Sequence, residues 1–438
     1  MEEGITELVV RLVYQLAIIL VAAKVGGEVC LRYLKVPPVL GELAAGIIIG
    51  PFALGGIEVG GIGPLLPIPH GLEEGGGGIP LSGELFSFAQ VASIVLLFAV
   101  GLETNLRQFL RYAGPASAVA AGGVVLPFAL GVGATALSGF ADGWADPKAL
   151  FMGAILTATS VGITARVLSD LHKLDSPEGV TIVAAAVVDD VLGIMILAIV
   201  IGIGASGEVS ASGIAIIGAK AVGFWVALTG VIILLSKPLS RLLGSFRVAG
   251  AEVGLALALA LLGAGLAESF GLAMIIGAYS VGLALSDTRL ARDLEEPITA
   301  VYQALVPIFF VVMGMLVDVS AVQGALVFGL VVTALAVVGK VVGCGLPAMA
   351  AGFNAVGSSR IAMGMLPRGE VALIVAGVGL TRGVIDADLF GVSILMTVVT
   401  TLVAPILLVP LFQRGGEGRR VKRTGATSPV AGSMEVDQ

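Results

Sequence analysis

The sequence predicts an all-α polytopic membrane protein, and three observations support this fold class. Of the 438 residues, 57% are hydrophobic and only 13% are charged, whereas soluble domains carry about 25% charged residues. The mean hydropathy of the chain is +1.06. Its apolar runs continue for about twenty residues, the length at which a helix crosses a bilayer, whereas the strands of a membrane barrel would alternate over about ten residues.

Thirteen apolar runs are long enough to be candidate transmembrane spans. They begin near Ile5, Val36, Leu85, Pro115, Ala149, Val180, Ile214, Glu252, Gly271, Pro297, Ala325, Ile361 and Asp388. Only "AESFG" separates the eighth run from the ninth, so a single long helix is an alternative there.

The basic residues indicate the orientation of these spans. Most Lys and Arg residues fall on one side of a thirteen-span chain, and that side is expected to be cytoplasmic. The N-terminus is therefore predicted outside the cell and the C-terminus in the cytoplasm, in a protein of the plasma membrane. The basic side includes Arg107, Arg166, Lys237, Arg360 and Arg414, whereas Arg11, Lys148 and Arg382 fall on the other side.

Two similar stretches suggest an internal repeat. "LLFAVGLETNL" ends the third span and "FFVVMGMLVDV" ends the tenth, and each is an apolar run followed by Gly and then an acid. If spans 1–6 and 8–13 are two copies, their offset of seven spans gives them opposite orientations. This is the inverted repeat of many secondary transporters.

Two adjacent acids, Asp189 and Asp190, lie inside the sixth span. A charge at the bilayer centre costs roughly 2.5 to 3.5 kcal/mol on insertion scales, so these acids require a compensating reason. Both lie about 15 Å from the start of the span, near the midplane, and Lys340 of the eleventh span lies at a similar depth. Because neighbouring helical residues point about 100° apart, we expect one acid to pair with Lys340 and the other to bind a transported cation or a proton.

Two further spans contain signals for a break in the helix at mid-membrane. "TATSVGITA" lies in the fifth span and "MLPRGEVAL" in the twelfth. Pro367 removes a helical hydrogen bond, and Thr159 and Ser160 offer oxygen ligands. Unwound backbone at this depth is tolerated where it lines a cavity, and an alkali cation prefers such oxygen ligands.

Structural explanations for the same residues remain open at this stage. Asp189 and Lys340 could form a buried ion pair with no transport role. Thr159 and Ser160 could bond carbonyls of their own helix. Arg368 and Glu370 of the twelfth span could likewise form an internal ion pair with a purely structural role.

Other polar residues and other ligands give weaker signals. Glu42 and Glu103 lie near span ends, so we expect them to be solvated. Cys30 and Cys344 lack metal-ligand spacing and are expected to be free thiols. The net charge is −7, and no basic stripe interleaved with aromatic residues indicates nucleic-acid binding.

Several functions are compatible with acids at mid-membrane. A cation:proton antiporter, a sodium-coupled organic-anion symporter and a passive channel all remain possible, since a fold does not fix a function. An intramembrane aspartic protease would require its two acids to face one scissile bond from separate helices, which adjacent acids do not do. No enzyme activity and no cofactor are therefore predicted.

Four motifs together resemble a known family. "AAAVVDDVLGI", "TATSVGITARVL", "MLPRGEVALIVAG" and the lysine of "VVGKVVG" are similar to the electrogenic sodium/proton antiporters of the NapA and NhaA type, within the monovalent cation:proton antiporter superfamily. The similarity runs over essentially the whole chain. It implies a homodimer of thirteen-helix subunits with two crossing broken helices, working by an elevator mechanism. Electroneutral relatives have Asn-Asp in place of Asp189-Asp190, and potassium relatives have Gln-Asp, so Na⁺ is favoured over K⁺.

The resemblance also implies roles for individual residues. Asp190 would carry the transported Na⁺ or the proton, Asp189 would pair with Lys340, and Thr159 with Ser160 would belong to the break near the ion. Arg368 and Glu370 match the motif of the twelfth span.

The same resemblance implies an organisation into segments. Residues 1–111 and 249–322 would form the scaffold and dimerisation helices, and residues 112–207 and 323–413 the mobile core. Residues 208–248 would form a linker helix and residues 414–438 a short cytoplasmic tail.

Overall fold

The computed structural model describes residues 2–57, 64, 66–67, 79–206, 211–243, 245–270, 272–318, 325–416 and 418–420. Within these ranges the regular elements are helices, and one isolated β-bridge joins Phe353 to Arg419. The α-helices are α1 (Glu2–Val29), α2 (Pro38–Ile49), α3 (Gly83–Glu103), α4 (Leu106–Leu137), α5 (Pro147–Thr157), α6 (Val161–Asp170), α7 (Pro177–Ser206), α8 (Ala211–Leu243), α9 (Ala251–Ser269), α10 (Met274–Leu285), α11 (Arg289–Met315), α12 (Leu326–Ala350), α13 (Ala355–Gly364), α14 (Glu370–Thr381) and α15 (Ala387–Gln413).

The predicted class, a polytopic α-helical membrane protein, is confirmed. In the part of the chain that the structure describes, 11 helical segments are long and apolar enough to cross a membrane, and two shorter apolar helices cover Met274–Leu285 and Val371–Leu380. The eighth and ninth apolar runs form separate helices, α9 and α10, so the alternative of one long helix is wrong. Large apolar side chains such as Leu234 and Val327 point outward, as contact with lipid requires.

Polar side chains fix where several helices begin. At the N-caps of five helices a side-chain oxygen accepts a hydrogen bond from a backbone N–H of the first turn, which satisfies a donor that the helix itself leaves unpaired. These N-cap residues are Ser82, Asn105, Asp146, Asn354 and Asp386. The helix boundaries are thus set by the local sequence.

Contacts between helix termini define the two ends of the bundle. At the end where α3 and α6 finish, which we call the tail end, Ser169 donates to Glu103 over 3.3 Å. At the opposite end, the head end, Lys148 at the start of α5 lies 3.6 Å from Asp386 at the start of α15. The C-terminus of α15 lies at the tail end.

Glycines allow α2 and α11 to touch at their backbones. A Cβ atom added at Gly46 would lie 2.0 Å from the carbonyl oxygen of Val311, and one added at Gly314 would lie 2.1 Å from that of Leu43. Such close approach through small residues is how membrane helices gain packing energy when lipid is as apolar as their side chains.

The variant Gly314→Val should therefore be destabilised. Its side chain would force α2 and α11 apart, at a cost of about 1–3 kcal/mol for overpacking. Gly265→Val on α9 is the matched control, because a Cβ atom there would meet nothing within 4 Å. Thermal unfolding in detergent should separate the two variants, and equal melting temperatures would contradict the proposed role of this contact.

Candidate functional site

Two helix breaks lie next to each other in the middle of the bundle. α5 ends at Thr157 and α6 begins at Val161, and the backbone between them is extended at Ser160. The second break separates α13 from α14 at residues 365–369, around Pro367, whose ring cannot donate a backbone hydrogen bond. Both predicted breaks are therefore present.

Hydrogen bonds join the two breaks directly. The backbone N–H of Ser160 donates to the carbonyl of Pro367 over 2.8 Å, and the hydroxyl of Thr164 donates to the carbonyl of Gly364 over 2.6 Å. The Thr159 hydroxyl lies 3.5 Å from the carbonyl of Met365. Each break thus satisfies backbone groups that the other leaves unpaired. The alternative that Thr159 bonds a carbonyl of its own helix is not what the structure shows.

Asp189 and Lys340 form a buried ion pair beside these breaks. The Lys340 ammonium donates to the Asp189 carboxylate over 3.0 Å, and the two side chains are 0% and 2% exposed. The Thr159 hydroxyl also lies beside the Asp189 carboxylate. A charge at this depth requires such partners, because desolvation of an isolated ion costs more than most folds can offset.

Asp190 lies next to this pair and lines a cavity of about 70 Å³. Asp189 reaches the same cavity, although neighbouring residues of α7 point in different directions. The other lining residues come from α5, α7, the start of α10 and α14, and they include Thr157, Ala158, Gly193, Ala273 and Val375. The cavity extends from the acids towards the head end, since Gly193 follows Asp190 in α7 and Ala273 precedes α10.

Arg368 occupies the second break and holds the end of α5. Its guanidinium is fully buried and donates to the carbonyl of Leu156, with a longer contact of 3.5 Å to Leu366. Its own carbonyl accepts from the Thr401 hydroxyl of α15. A positive charge at the C-terminus of a helix interacts favourably with the helix dipole. The side chain of Glu370 lies outside the described residues, so its pairing with Arg368 stays a prediction.

The family described as "Sodium/hydrogen exchanger, transmembrane" matches residues 17–414. The chain belongs to the sodium/hydrogen exchanger family. This membership confirms the predicted superfamily and the predicted class of function, a cation:proton antiporter, while the NapA and NhaA subtype stays a prediction.

Relatives of this exchanger match it over nearly its whole length. The "High-affinity Na(+)/H(+) antiporter NhaS3" of Synechocystis sp. is 38% identical over 423 residues, which are 91% of this chain and 89% of the relative. The "Na(+)/H(+)-K(+) antiporter GerN" of Bacillus cereus is 34% identical over 401 residues, 90% of this chain and 95% of the relative. The solved structure of the sodium proton antiporter MjNhaP1 from Methanocaldococcus jannaschii has the same fold, with a TM-score of 0.64, 20% identity and coverage of 93% of this chain and 98% of that chain.

The exchanger contains a second group of buried charges that its sequence did not reveal. Glu42 of α2 was expected to be solvated, and this is wrong, because the residue is 3% exposed. Its carboxylate lies 3.8 Å from the guanidinium of Arg166 in α6, which also donates to Asp170 over 3.2 Å and lies over the ring of Tyr302 in α11 at 5.0 Å. The position of Glu42 near the end of a span did not reveal that another helix covers its side chain.

A third group of buried charges, centred on Arg360, is held by the end of α15 and the segment after it. Arg360 of α13 donates to Glu178 of α7 over 2.6 Å and to the carbonyls of Leu411, Gly415 and Gly416. The sequence placed Arg360 correctly at the basic end of the bundle, but it is 4% exposed. It therefore joins α7, α13 and the end of α15 in one fully bonded cluster.

Proposed function

We propose that this exchanger moves Na⁺ across the membrane in one direction and protons in the other, with Asp190 as the group that binds each in turn. The observation that carries the proposal is the position of Asp190. It lies at a cavity in the middle of the bundle, next to two broken helices and next to the buried pair of Asp189 and Lys340. A carboxylate there can hold a cation or a proton, but not both, and this competition couples the two movements.

The proposal includes electrogenic transport. Asp189 and Lys340 already neutralise each other, so Asp190 brings one further negative charge into the membrane. If Asp190 and the pair each release a proton when Na⁺ binds, two protons exchange for one Na⁺ and net charge moves.

The proposal also includes an elevator movement of a core against a scaffold. The core would comprise residues 112–207 and 323–413, and the scaffold residues 1–111 and 249–322, with residues 208–248 as the linker. The packing supports this division, because α4 packs closely against α5, α7 and α12, whereas α3 packs against α10 and α11.

The remaining features belong to the same proposal. They are thirteen spans in two inverted repeats, a homodimer in the plasma membrane, the N-terminus outside and the C-terminus in the cytoplasm. The two breaks support the repeats, because they fall in the fifth and twelfth spans, which correspond when the second copy is offset by seven. The tail end of the bundle would then face the cytoplasm.

Purified protein in liposomes with an enclosed pH-sensitive dye tests the function. Adding Na⁺ outside should cause proton movement in the opposite direction, and a series with Li⁺ and K⁺ at several pH values should define the selectivity. The name of the relative GerN includes K⁺, so K⁺/H⁺ exchange is the second candidate. Proton movement with K⁺ but not with Na⁺ would favour it. Cation uptake without counter-movement of protons would contradict both candidates.

A further prediction follows if ions reach Asp190 through the cavity on its head side, which is the route proposed here. Gly193 lies one turn after Asp190 and lines the cavity, and a Cβ atom added there would meet nothing within 4 Å. Gly193→Leu should fill the cavity and slow exchange severalfold without disturbing the packing. Gly223→Leu on α8 is the control, since its Cβ atom would also meet nothing. The measurements are the initial rate in the dye assay and the melting temperature of each variant, which checks that both are folded. Equal transport rates in the two variants would reject this route.

A further inference from the structure

The two sides of Asp190 differ in this structure. Towards the head end, Asp190 lines the cavity of about 70 Å³. Between α2, α6 and α11, level with the second break, a smaller cavity of about 30 Å³ is lined mainly by apolar side chains, with Arg368, Thr397 and Thr401 also in its wall. The buried charges of Glu42 and Arg166 lie on the tail side of this cavity, because Glu42 directly precedes its lining residue Leu43 in α2 and Arg166 lies three residues after Ile163 in α6.

The contact between Glu42, Arg166 and Tyr302 crosses between the proposed scaffold and the proposed core. Glu42 belongs to α2 and Tyr302 to α11, both in the scaffold, whereas Arg166 belongs to α6 in the core. The cluster is buried, with Glu42 at 3%, Tyr302 at 8% and Arg166 at 8% exposure. Any movement of the core along the scaffold must therefore separate these groups.

The cluster is bonded more loosely than a permanent buried pair. The shortest distance between the Glu42 carboxylate and the Arg166 guanidinium is 3.8 Å. Among the described residues, Oε2 of Glu42 and Nη1 of Arg166 find no hydrogen-bond partner, and the Tyr302 hydroxyl lies beside Arg166 without the geometry of a full hydrogen bond. Buried polar groups in a static core are almost always bonded, as Arg360 is. A contact that must open in each cycle cannot be held so strongly.

Arg166 also keeps a partner that would move with it. Asp170 lies four residues later in the same helix and accepts from the Arg166 Nε over 3.2 Å. When the core separates from the scaffold, Arg166 would retain this carboxylate, and water entering the gap would solvate Glu42. An unpaired charge in a dry interior is costly. Arg166 and Glu42 would therefore each have a partner or water both when the core contacts the scaffold and when the two are separated.

We propose that Glu42, Arg166 and Tyr302 form a latch that holds the core against the scaffold at the tail end while Asp190 is open towards the head end. Release of the latch accompanies the movement that opens the tail side. This inference rests on the division into core and scaffold proposed above, and it adds three residues that set the balance between the two states.

A cysteine at Ile163 reports on this balance. Ile163 is 2% exposed and lies three residues before Arg166, so it should react with a membrane-impermeant thiol reagent from the tail side only when the latch is open. In the Ile163→Cys background, Glu42→Gln and Arg166→Gln should each raise the rate of labelling by about tenfold, because each shifts the population towards the open state. The double variant should label no faster than the faster single variant, since both remove the same contact.

Arg107→Gln is the matched control. Arg107 at the start of α4 lies 3.8 Å from Asp287 after α10, and its side chain and that of Asp287 are 87% and 56% exposed, so this ion pair lies at the tail end but within the scaffold. Exposed pairs contribute little, and labelling should be unchanged. Tyr302→Leu provides a second test of the latch that changes no charge. It is expected to accelerate labelling as well, and it replaces the charge variants if these are too unstable to purify.

Unchanged labelling in Glu42→Gln and Tyr302→Leu would overturn the latch, as would an equal acceleration by Arg107→Gln. The labelling assay needs no transport, so it separates this inference from the proposed function. Exchange that proceeds normally with unchanged labelling would remove only the latch. Cation uptake without counter-movement of protons would instead remove the proposed function and leave the labelling result unaffected.

Discussion

Replacing Asp190 with Asn should reduce Na⁺-driven proton movement to the background of protein-free liposomes. Asn has nearly the same shape as Asp and fills the same place beside the cavity, but it neither binds nor releases a proton. It also lacks the negative charge that makes a mid-membrane site favourable for a cation. The measurement is the initial rate of dye response after addition of Na⁺, at several pH values, with equal amounts of reconstituted protein.

Glu103→Gln is the control for this experiment. It makes the same chemical change at an exposed carboxylate of the tail end, and we expect it to exchange like the wild type. Binding of Na⁺ should also release protons from the wild-type protein in detergent, and Asp190→Asn should release fewer. Undiminished exchange in Asp190→Asn would refute the assignment of Asp190 as the carrier.

Lys340→Gln should have two separate effects, one on stability and one on charge movement. It leaves the carboxylate of Asp189 buried without its cation, and removal of one partner from a buried pair typically costs 3–5 kcal/mol. The melting temperature in detergent should therefore fall substantially. If the variant still transports, exchange should become electroneutral, because Lys340 no longer contributes a proton and a charge to the cycle.

The double variant Asp189→Asn with Lys340→Gln distinguishes these effects. Two neutral amides can hydrogen-bond each other, so most of the lost stability should return while exchange stays independent of voltage. The imposed membrane potential is set with a K⁺ gradient and valinomycin in liposomes otherwise identical to those of the dye assay. A voltage dependence equal to that of the wild type would reject the proposed role of Lys340, and a double variant less stable than Lys340→Gln would reject the ion pair as the cause of the instability.

The buried acids, the lysine and both helix breaks could be predicted from the sequence for a simple physical reason. In an apolar run of about twenty residues a charge is costly, so its presence identifies a special position, and Pro367 directly before Arg368 or the hydroxyl cluster of the fifth span indicates a candidate break. The depth of Asp189 and Lys340 follows from counting residues along a helix. Their similar depth indicated that the two residues could pair. Only the packing of α7 against α12 shows that they do, at 3.0 Å.

Burial near the ends of the helices could not be predicted in the same way. Glu42 and Arg166 lie close to span ends, where an acid or a base is usually solvated, and nothing in the local sequence shows that α2, α6 and α11 meet there. Arg360 is similar, because the carbonyls that surround it come from residues more than fifty positions later. Such contacts depend on which helices become neighbours.

The sequence by itself determined that this protein is a helical membrane protein with charges at mid-membrane, since hydrophobic length and the cost of burying charge are local properties of the chain. Only the tertiary structure decided that the breaks bond each other, that the cavity at Asp190 extends towards the head end, and that Glu42 and Arg166 are enclosed at the tail end. These features arise from contacts between helices far apart in sequence, and the free energy of such contacts depends on packing geometry that no single segment encodes.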